Sequence, residues 1–263
     1  MYKFLIFCFF LVANLSVAQS LSVWNIFDTV QKRVLIAAHR GDFKNYPENS
    51  IPGILSCITQ GVDIVEIDVQ KTSDGHFVLM HDPKLNRTTN GKGKVSQRTL
   101  KYILGLKLKD AKGYLTNYSV PTLDSVLKII KGKIILNIDK SNGIFDQLIP
   151  IIQSHQCDSF VILKGNNSAA YFNNYYKLYP KGPLFMPIKN GSNTSLDSFL
   201  ITTNTKLIEI LLKSDSDFIF KPSVTQLIHS LGCKLWFNPL FNSISGGHTE
   251  HVNAIPVSYT HLR

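Results

Sequence analysis

Short apolar runs alternate with helix-like segments from Val34 onward, and this alternation constrains the fold more than any other property of the sequence. Val34–Ala38, Val62–Val69, Lys133–Asp139, Ser159–Leu163, Pro183–Ile188, Asp217–Phe220 and Lys234–Phe237 read as strands. Several are nearly continuous in apolar residues, the pattern of parallel strands covered on both faces. Helix-like stretches lie between them at Leu123–Ile130, Ile144–Ser154, Ala169–Tyr179 and Val224–Leu231, with Asn142 and Ser223 placed as N-caps. Such a series is a run of βαβ units, which closes into an α/β barrel or opens into a doubly wound sheet. No Gly-x-Gly-x-x-Gly follows the first strand, which counts against the dinucleotide-binding sheet. The 263 residues suit one barrel, which commonly takes about 250. The expected fold is of the α/β class, a TIM (β/α)8-type barrel.

One excursion interrupts the pattern. His76–Met80 reads as the second strand of a hairpin entered through the Asp74-Gly75 turn, and alternation resumes only after Asp82–Pro121. A small insertion after the second strand lies at the end of the barrel where sites are built. Seven barrel strands are countable, whereas closure takes eight. The 26 residues after Phe237 hold no strand-plus-helix pair, so the last βα unit reads as missing and Pro256–Arg263 as a non-native tail.

Lys3, the apolar run Phe4–Ala13 and the small residues Ser16-Val17-Ala18 form a secretory signal over residues 1–18, leaving 19–255 as the barrel domain. The expected location is the periplasm or the medium. No segment reaches the roughly 20 apolar residues of a membrane-crossing helix, so no stable span is expected. Cys57, Cys157 and Cys233 are too few and too widely spaced for a disulfide framework or a cysteine metal site, and read as buried thiols. Lys plus Arg number 28 against 18 Asp plus Glu, a formal charge of +10 that favours anionic partners. The lysines form no basic helix or recognition motif, so nucleic acid is not an expected partner.

The chemistry begins at Glu66-Ile67-Asp68 on the second strand. Residues two apart on a strand share a face, so both carboxylates point one way and Ile67 the other. Two carboxylates side by side at a barrel strand's end repel unless a cation lies between them, and the fitting guest is a hard divalent ion, Ca²⁺ or Mg²⁺. The competing account, a solvated edge strand, sits poorly with the apolar Val62, Ile64, Val65, Ile67 and Val69. His39 ends the first strand and His81 ends the hairpin; two imidazoles flanking such a pair serve as general base and general acid. Arg40 can fork two donors onto a phosphate, and Gly41 permits close backbone approach. Glu48 is a third acidic group nearby, with helix capping as its plainer role.

Taken together, His39-Arg40-Gly41, Pro47-Glu48-Asn49-Ser50, Glu66-Ile67-Asp68, Asp74-Gly75, His81-Asp82, Arg87-Thr88-Thr89-Asn90-Gly91 and Val120-Pro121-Thr122-Leu123 resemble the glycerophosphodiester phosphodiesterases. The likeness is close over Leu35–Asp139 and general beyond it. It implies a TIM barrel with a small insertion after the second strand, and one divalent metal held by Glu66 and Asp68. Glu48 then completes the metal or hydrogen-bond shell, His39 and His81 form the acid–base pair, and Arg40 holds the phosphate. Where the family has Glu and, two residues on, Lys, this chain has Asp139 and Ser141. Asp139 is then a shorter metal ligand, with Lys140 or Lys164 as substitute phosphate contacts.

The implied activity is metal-dependent hydrolysis of a small phosphodiester to glycerol 3-phosphate and an alcohol. One His deprotonates the neighbouring glycerol hydroxyl, a cyclic phosphate forms, and the other His protonates the leaving alcohol. A lysophospholipid- or phosphoinositide-directed phosphodiesterase on the same fold is the alternative, with Tyr171–Tyr179 as a lipid contact or, more simply, helix packing. An alternative of another class is a non-catalytic phosphate-binding barrel.

Overall fold

The computed structural model describes residues 22–23, 35–211, 217–237 and 257–258. Seven strands, β1 (Leu35–Ala38), β2 (Ile64–Lys71), β6 (Ile135–Asp139), β7 (Val161–Gly165), β8 (Leu184–Asn190), β9 (Leu207–Leu211) and β10 (Lys234–Phe237), pair in parallel in chain order. Between them run α1 (Ile51–Thr59), α3 (Leu123–Ile130), α4 (Phe145–Ser154), α5 (Ala169–Leu178), α6 (Leu196–Thr203) and α7 (Pro222–Ser230). The excursion between β2 and α3 contains β3 (Phe77–Leu79), α2 (Leu100–Leu104), β4 (Lys107–Lys109) and β5 (Leu115–Ser119). A two-residue strand, β11 (Val257–Ser258), pairs antiparallel with β1.

Strand order equal to chain order describes a singly wound sheet, and the side chains show that it curls. Leu35, Ala37, Ile64, Ile135, Ile162, Leu184, Met186, Leu207 and Trp236, drawn from all seven parallel strands, meet with Val23 in one buried cluster. That is the interior of a TIM-type barrel. The opposite faces carry Val65, Ile67, Val69, Leu136 and Ile138, which pack against Ile54 and Cys57 of α1 and Leu123, Val126 and Leu127 of α3. Burial of each such side chain is worth about 1.5–3 kcal/mol.

The two-residue period decides what the barrel interior contains. On β2, Ile64 faces inward with Glu66 and Asp68 above it; on β6, Ile135 is followed by Asn137 and Asp139. The interior is therefore apolar at the strands' N-terminal ends and charged at their C-terminal ends. Helix starts are fixed by side-chain caps: Ser50, Thr122 and Ser168 oxygens accept from Gly53, Ser125 and Tyr171 backbone N–H groups. In α3 the spacing Leu123, Val126, Leu127, Ile130 gives one fully buried face.

The excursion forms its own small core from Val78, Met80, Leu85, Val95, Ile103, Leu106, Leu108 and Val120. Its first strand, β3, runs antiparallel to β2 with Val69 opposite Leu79, which brings His81 back to the C-terminal end of the barrel. β4 and β5 form a separate two-stranded sheet.

Several expectations need correction. Asp217–Phe220 is not a strand: Phe218–Phe220 is a single 3₁₀ turn leading into α7, whose first residue is Pro222. The sixth parallel strand is β9, where Glu209 interrupts an otherwise apolar run and hides it from a search for continuous hydrophobicity. Asn142 and Ser223 are not N-caps, because α4 starts after Ile144 and α7 after Lys221. Helix packing, the simpler reading of the aromatic segment, holds for part of α5: Phe172 and Tyr175 contact Phe185 at ring distances of 5.2 and 5.4 Å, and the Tyr175 hydroxyl donates to Pro183 O at 2.7 Å. Cys57, Cys157 and Cys233 are free, buried thiols. Among the described residues no helix is long and apolar enough to cross a membrane. The secretory-signal reading of residues 1–18 lies outside the described residues, as does most of the stretch after Phe237.

Candidate active site

Glu66, Asp68 and Asp139 converge at the C-terminal end of the barrel. One carboxylate oxygen from each lies within 4.8 Å of the others. Parallel pairing of β2 and β6 sets Asp68 directly beside Asp139, and Glu66 stands two residues earlier on the same face. Glu66 and Asp68 are 4% and 1% exposed, so neither charge is relieved by water. Burial and the neighbouring Asp68 push the Glu66 carboxyl up, and burial raises Asp68 against the opposing hydrogen bond from the Asn49 amide. Two buried carboxylates raised together are a site short of positive charge.

The atoms around the trio are held firmly. The Arg40 backbone N–H donates to Glu66 Oε2 at 2.8 Å, while Glu66 Oε1 is buried with no hydrogen-bond partner. Asn49 clasps Asp68 twice, its Nδ2 donating to Oδ2 and its Oδ1 accepting from the Asp68 backbone, each at 2.9 Å. Arg40, Asn49 and Lys140 all sit in the left-handed backbone region, at φ 55°, 55° and 58°. Non-glycine residues in that region carry strain that the surrounding contacts must offset. Gly41 follows at φ 76°, and a Cβ there would come within 3.3 Å of the Gly53 carbonyl carbon. Glycine is thus what lets the β1–α1 loop lie against the first turn of α1.

The two histidines border the trio in different settings. His39 Nε2 lies 4.0 Å from Glu66 Oε2. Burial, then the charges of Arg40 and Lys164, push this imidazole down to about 3, so it is neutral at ordinary pH. His81 Nδ1 lies 2.7 Å from Asp82 Oδ1, which orients the ring and favours the proton on Nδ1. Asp82 in turn is gripped by Arg87, at 2.7 and 3.0 Å, and the Arg87 hydrogen bonds hold its carboxyl far below the usual range.

Glu48 stands apart from the trio. Arg87 donates to both its oxygens, at 2.7 and 2.8 Å, and Arg40 Nη1 lies 3.4 Å from each. Burial raises its carboxyl, but these guanidinium contacts outweigh that and leave it below the usual range. Glu48 therefore belongs to the hydrogen-bond shell, tying the β1–α1 loop to the excursion. Arg40 Nε sits 3.6 Å from Asp68 Oδ2.

Both lysines are at the site. Lys140 turns inward through its left-handed backbone: its Nζ lies 3.9 Å from Asp68 Oδ1 and donates to the His81 carbonyl. Lys164, on β7, is only 5% exposed, and its Nζ is taken by Asp139 Oδ2 at 3.0 Å and Glu209 Oε2 at 3.1 Å. Burial opposes its charge, yet Glu209 and Asp139 more than reverse this and hold the ammonium above the ordinary lysine range. Lys164 holds Asp139 below the usual range against the effect of burial. Ser141 is buried and stitched to the Lys164 backbone, accepting from its N–H at 3.2 Å and donating to its carbonyl at 3.0 Å.

Asn49, Asp82, Arg87 and Glu209 join the site without a role expected from the sequence. Glu209 had one visible signal, an acid in the middle of a five-residue apolar run. Asn49 had another, an amide beside a glutamate where a turn enters a helix.

As a test of fit, the oxygen-only donor set, its closeness and the unpartnered Glu66 Oε1 all match a hard divalent cation. Residues 39–159 match the glycerophosphoryl diester phosphodiesterase family. A glycerophosphodiester phosphodiesterase of Caldanaerobacter subterraneus subsp. tengcongensis is 36% identical over 146 residues, covering 51% of this chain and 59% of that protein. One from Bacillus altitudinis is 38% identical over 116 residues, 42% of this chain and 46% of its own. The chain thus spans about half the length of the curated relatives it matches. A glycerophosphoryl diester phosphodiesterase structure from Parabacteroides distasonis superposes with a TM-score of 0.68 at 27% identity, covering 82% of this chain and 77% of that one. With the barrel, the carboxylate trio and both histidines in place, the chain resembles the glycerophosphoryl diester phosphodiesterase family, whose model its residues 39–159 match.

Proposed function

We propose that the protein is a metal-dependent phosphodiesterase that cleaves glycerophosphodiesters to glycerol 3-phosphate and an alcohol. The observation that carries this reading is the buried carboxylate trio, with an unpartnered Glu66 oxygen, set between a neutral imidazole and two inward-turned cations. Glu66, Asp68 and Asp139 are the residues to hold one divalent ion, Ca²⁺ or Mg²⁺, with Lys164 and Glu209 fixing Asp139 from below. When bound, the ion neutralises the phosphodiester and stabilises charge growing on its oxygens.

The chain's own residues do the rest. Arg40 and Lys140 supply the cationic contacts for the phosphate, since Lys164 is already committed to two carboxylates. His39, bordering the trio through Glu66, accepts the proton of the glycerol hydroxyl neighbouring the ester. That oxygen bonds to phosphorus as the bond to the alcohol breaks, and His81, oriented by Asp82, gives the departing oxygen a proton. Water then opens the cyclic ester with the two roles exchanged. A phosphodiesterase of Oleispira antarctica, 20% identical with a TM-score of 0.62 and covering 84% of this chain and 91% of that one, has been crystallised in complex with the product sn-glycerol-3-phosphate. The same barrel with that product bound supports the choice of substrate class. The Lys3-led apolar run within residues 1–18 supports placing the activity in the periplasm or the medium.

The test is release of choline and glycerol 3-phosphate from glycerophosphocholine, measured with Ca²⁺, with Mg²⁺ and with chelator. Release that needs metal and falls at least about 10²-fold in His39→Ala supports the reading. A folded protein that releases nothing, or is indifferent to chelator, contradicts it.

A further inference from the structure

The positive charge of this protein is concentrated in one place. Residues 82–119 carry nine Lys and Arg against Asp82 and Asp110, a net +7 of the chain's +10. Arg87 takes the carboxylates of Glu48 and Asp82, whereas Lys84, Lys92, Lys94, Lys101 and Lys112 are exposed with no carboxylate partner among the described residues. Lys84 and Lys94 face each other across an antiparallel bridge, and like charges so placed repel. A surface that keeps such a pair is built for an anionic counterpart.

The same excursion exposes apolar bulk. Tyr114 and Leu115, at the tip of the β4–β5 hairpin, are 70% and 55% exposed, and Tyr118 is 41% exposed. The tip is a fixed turn: Asp110 Oδ1 accepts from the Lys112 and Tyr114 backbone N–H groups at 3.0 and 2.9 Å, and Gly113 takes φ 85°. No third strand joins this sheet among the described residues, and β5 is largely open to solvent. The Tyr118 ring meets Tyr46 edge-on at 6.4 Å, and Tyr46 belongs to the loop that carries Arg40, Glu48 and Asn49. The cationic, tyrosine-tipped hairpin therefore stands beside the candidate site.

We propose that this excursion docks the protein onto an anionic lipid bilayer, hairpin tip first, with the site's opening near the headgroups. Tyrosine and leucine on a rigid turn suit the headgroup–acyl boundary, and surrounding lysines add attraction to anionic headgroups. A nucleic-acid surface would instead need a basic groove interleaved with stacking platforms, and here the exposed apolar residues gather at one protruding tip. The docking stands on charge and exposure alone; only its use, taking diesters from a lipid surface, rests on the function proposed above.

Full-length protein is sedimented with phosphatidylcholine vesicles and with vesicles also containing phosphatidylglycerol. Binding is expected to the second only, weakening as salt rises. Replacing Lys92, Lys94, Lys101 and Lys112 together by Gln should cut it at least tenfold. Tyr114→Ser with Leu115→Ser should weaken it without changing its salt dependence, and Tyr114→Trp should show a blue shift in emission on anionic vesicles. Cooperative melting and unchanged release from soluble glycerophosphocholine show that the substitutions spare the barrel. Vesicle binding by a protein inactive on glycerophosphocholine supports docking while contradicting the proposed activity. Docking is overturned if anionic vesicles do not bind, if the quadruple variant binds equally, or if a single-stranded RNA oligonucleotide binds tighter at the same salt.

Discussion

Replacing Lys164 with Met removes the ammonium that joins Asp139 to Glu209 inside the barrel. The side chain is 5% exposed and its Nζ lies 3.0 and 3.1 Å from the two carboxylates. At an effective dielectric near 20, each contact at this range is worth about 5 kcal/mol before desolvation is subtracted. Breaking a buried pair from one side typically costs about 3–5 kcal/mol, because the partner stays buried and uncompensated. In a chain of this size each kcal/mol moves Tm by about 2–4 °C, so Lys164→Met should lower it by about 6–20 °C in chelator at neutral pH. Urea unfolding would give the free energy directly. The double variant Lys164→Met/Glu209→Gln removes one of the stranded charges and should recover at least about 1 kcal/mol of that loss. A single-variant loss below about 1 kcal/mol, or a double variant showing the plain sum of the two, would refute the buried-pair argument.

Asn49→Ala deletes both hydrogen bonds to Asp68 and should weaken divalent-ion binding about 10–100-fold by calorimetric titration; unchanged affinity contradicts the clamp. Gly41→Ala places a Cβ at φ 76° and 3.3 Å from Gly53, and should cost about 1–3 kcal/mol in urea unfolding, whereas Gly61→Ala, at positive φ in open space, should cost less. Arg87 depresses the Asp82 carboxyl, so that contribution is present above the ordinary carboxylate range and is lost as the pH falls through the lowered value. Arg87→Ala removes the depression and should shrink the fall in Tm between neutral and acid pH by about 1 kcal/mol equivalent, the pair being partly screened by water. An unchanged acid limb contradicts it.

The part of the site that follows a two-residue period was legible in the sequence. Glu66 and Asp68 share a face because β2 is a strand, and apolar neighbours on the other face declared the strand. Asp139 was legible for the same reason, once β6 was recognised as the next parallel strand. Glu209 was not, because Asp217–Phe220 reads as the sixth strand in place of β9, and the meeting of Lys164 with Glu209 depends on two strands that are not neighbours. The Arg87–Glu48 contact joins residues 39 positions apart through a turn-rich excursion without periodicity to read. Lys140 reaches the site only through a left-handed backbone that residue type alone does not announce.

The most direct test of the central claim is a calorimetric titration of Ca²⁺ and of Mg²⁺ into the metal-free protein and into Glu66→Gln. The account predicts one ion per chain for at least one of the two metals, with binding lost or at least about tenfold weaker in the variant. Absence of saturable binding in the folded wild-type protein, or undiminished binding in Glu66→Gln, would contradict it.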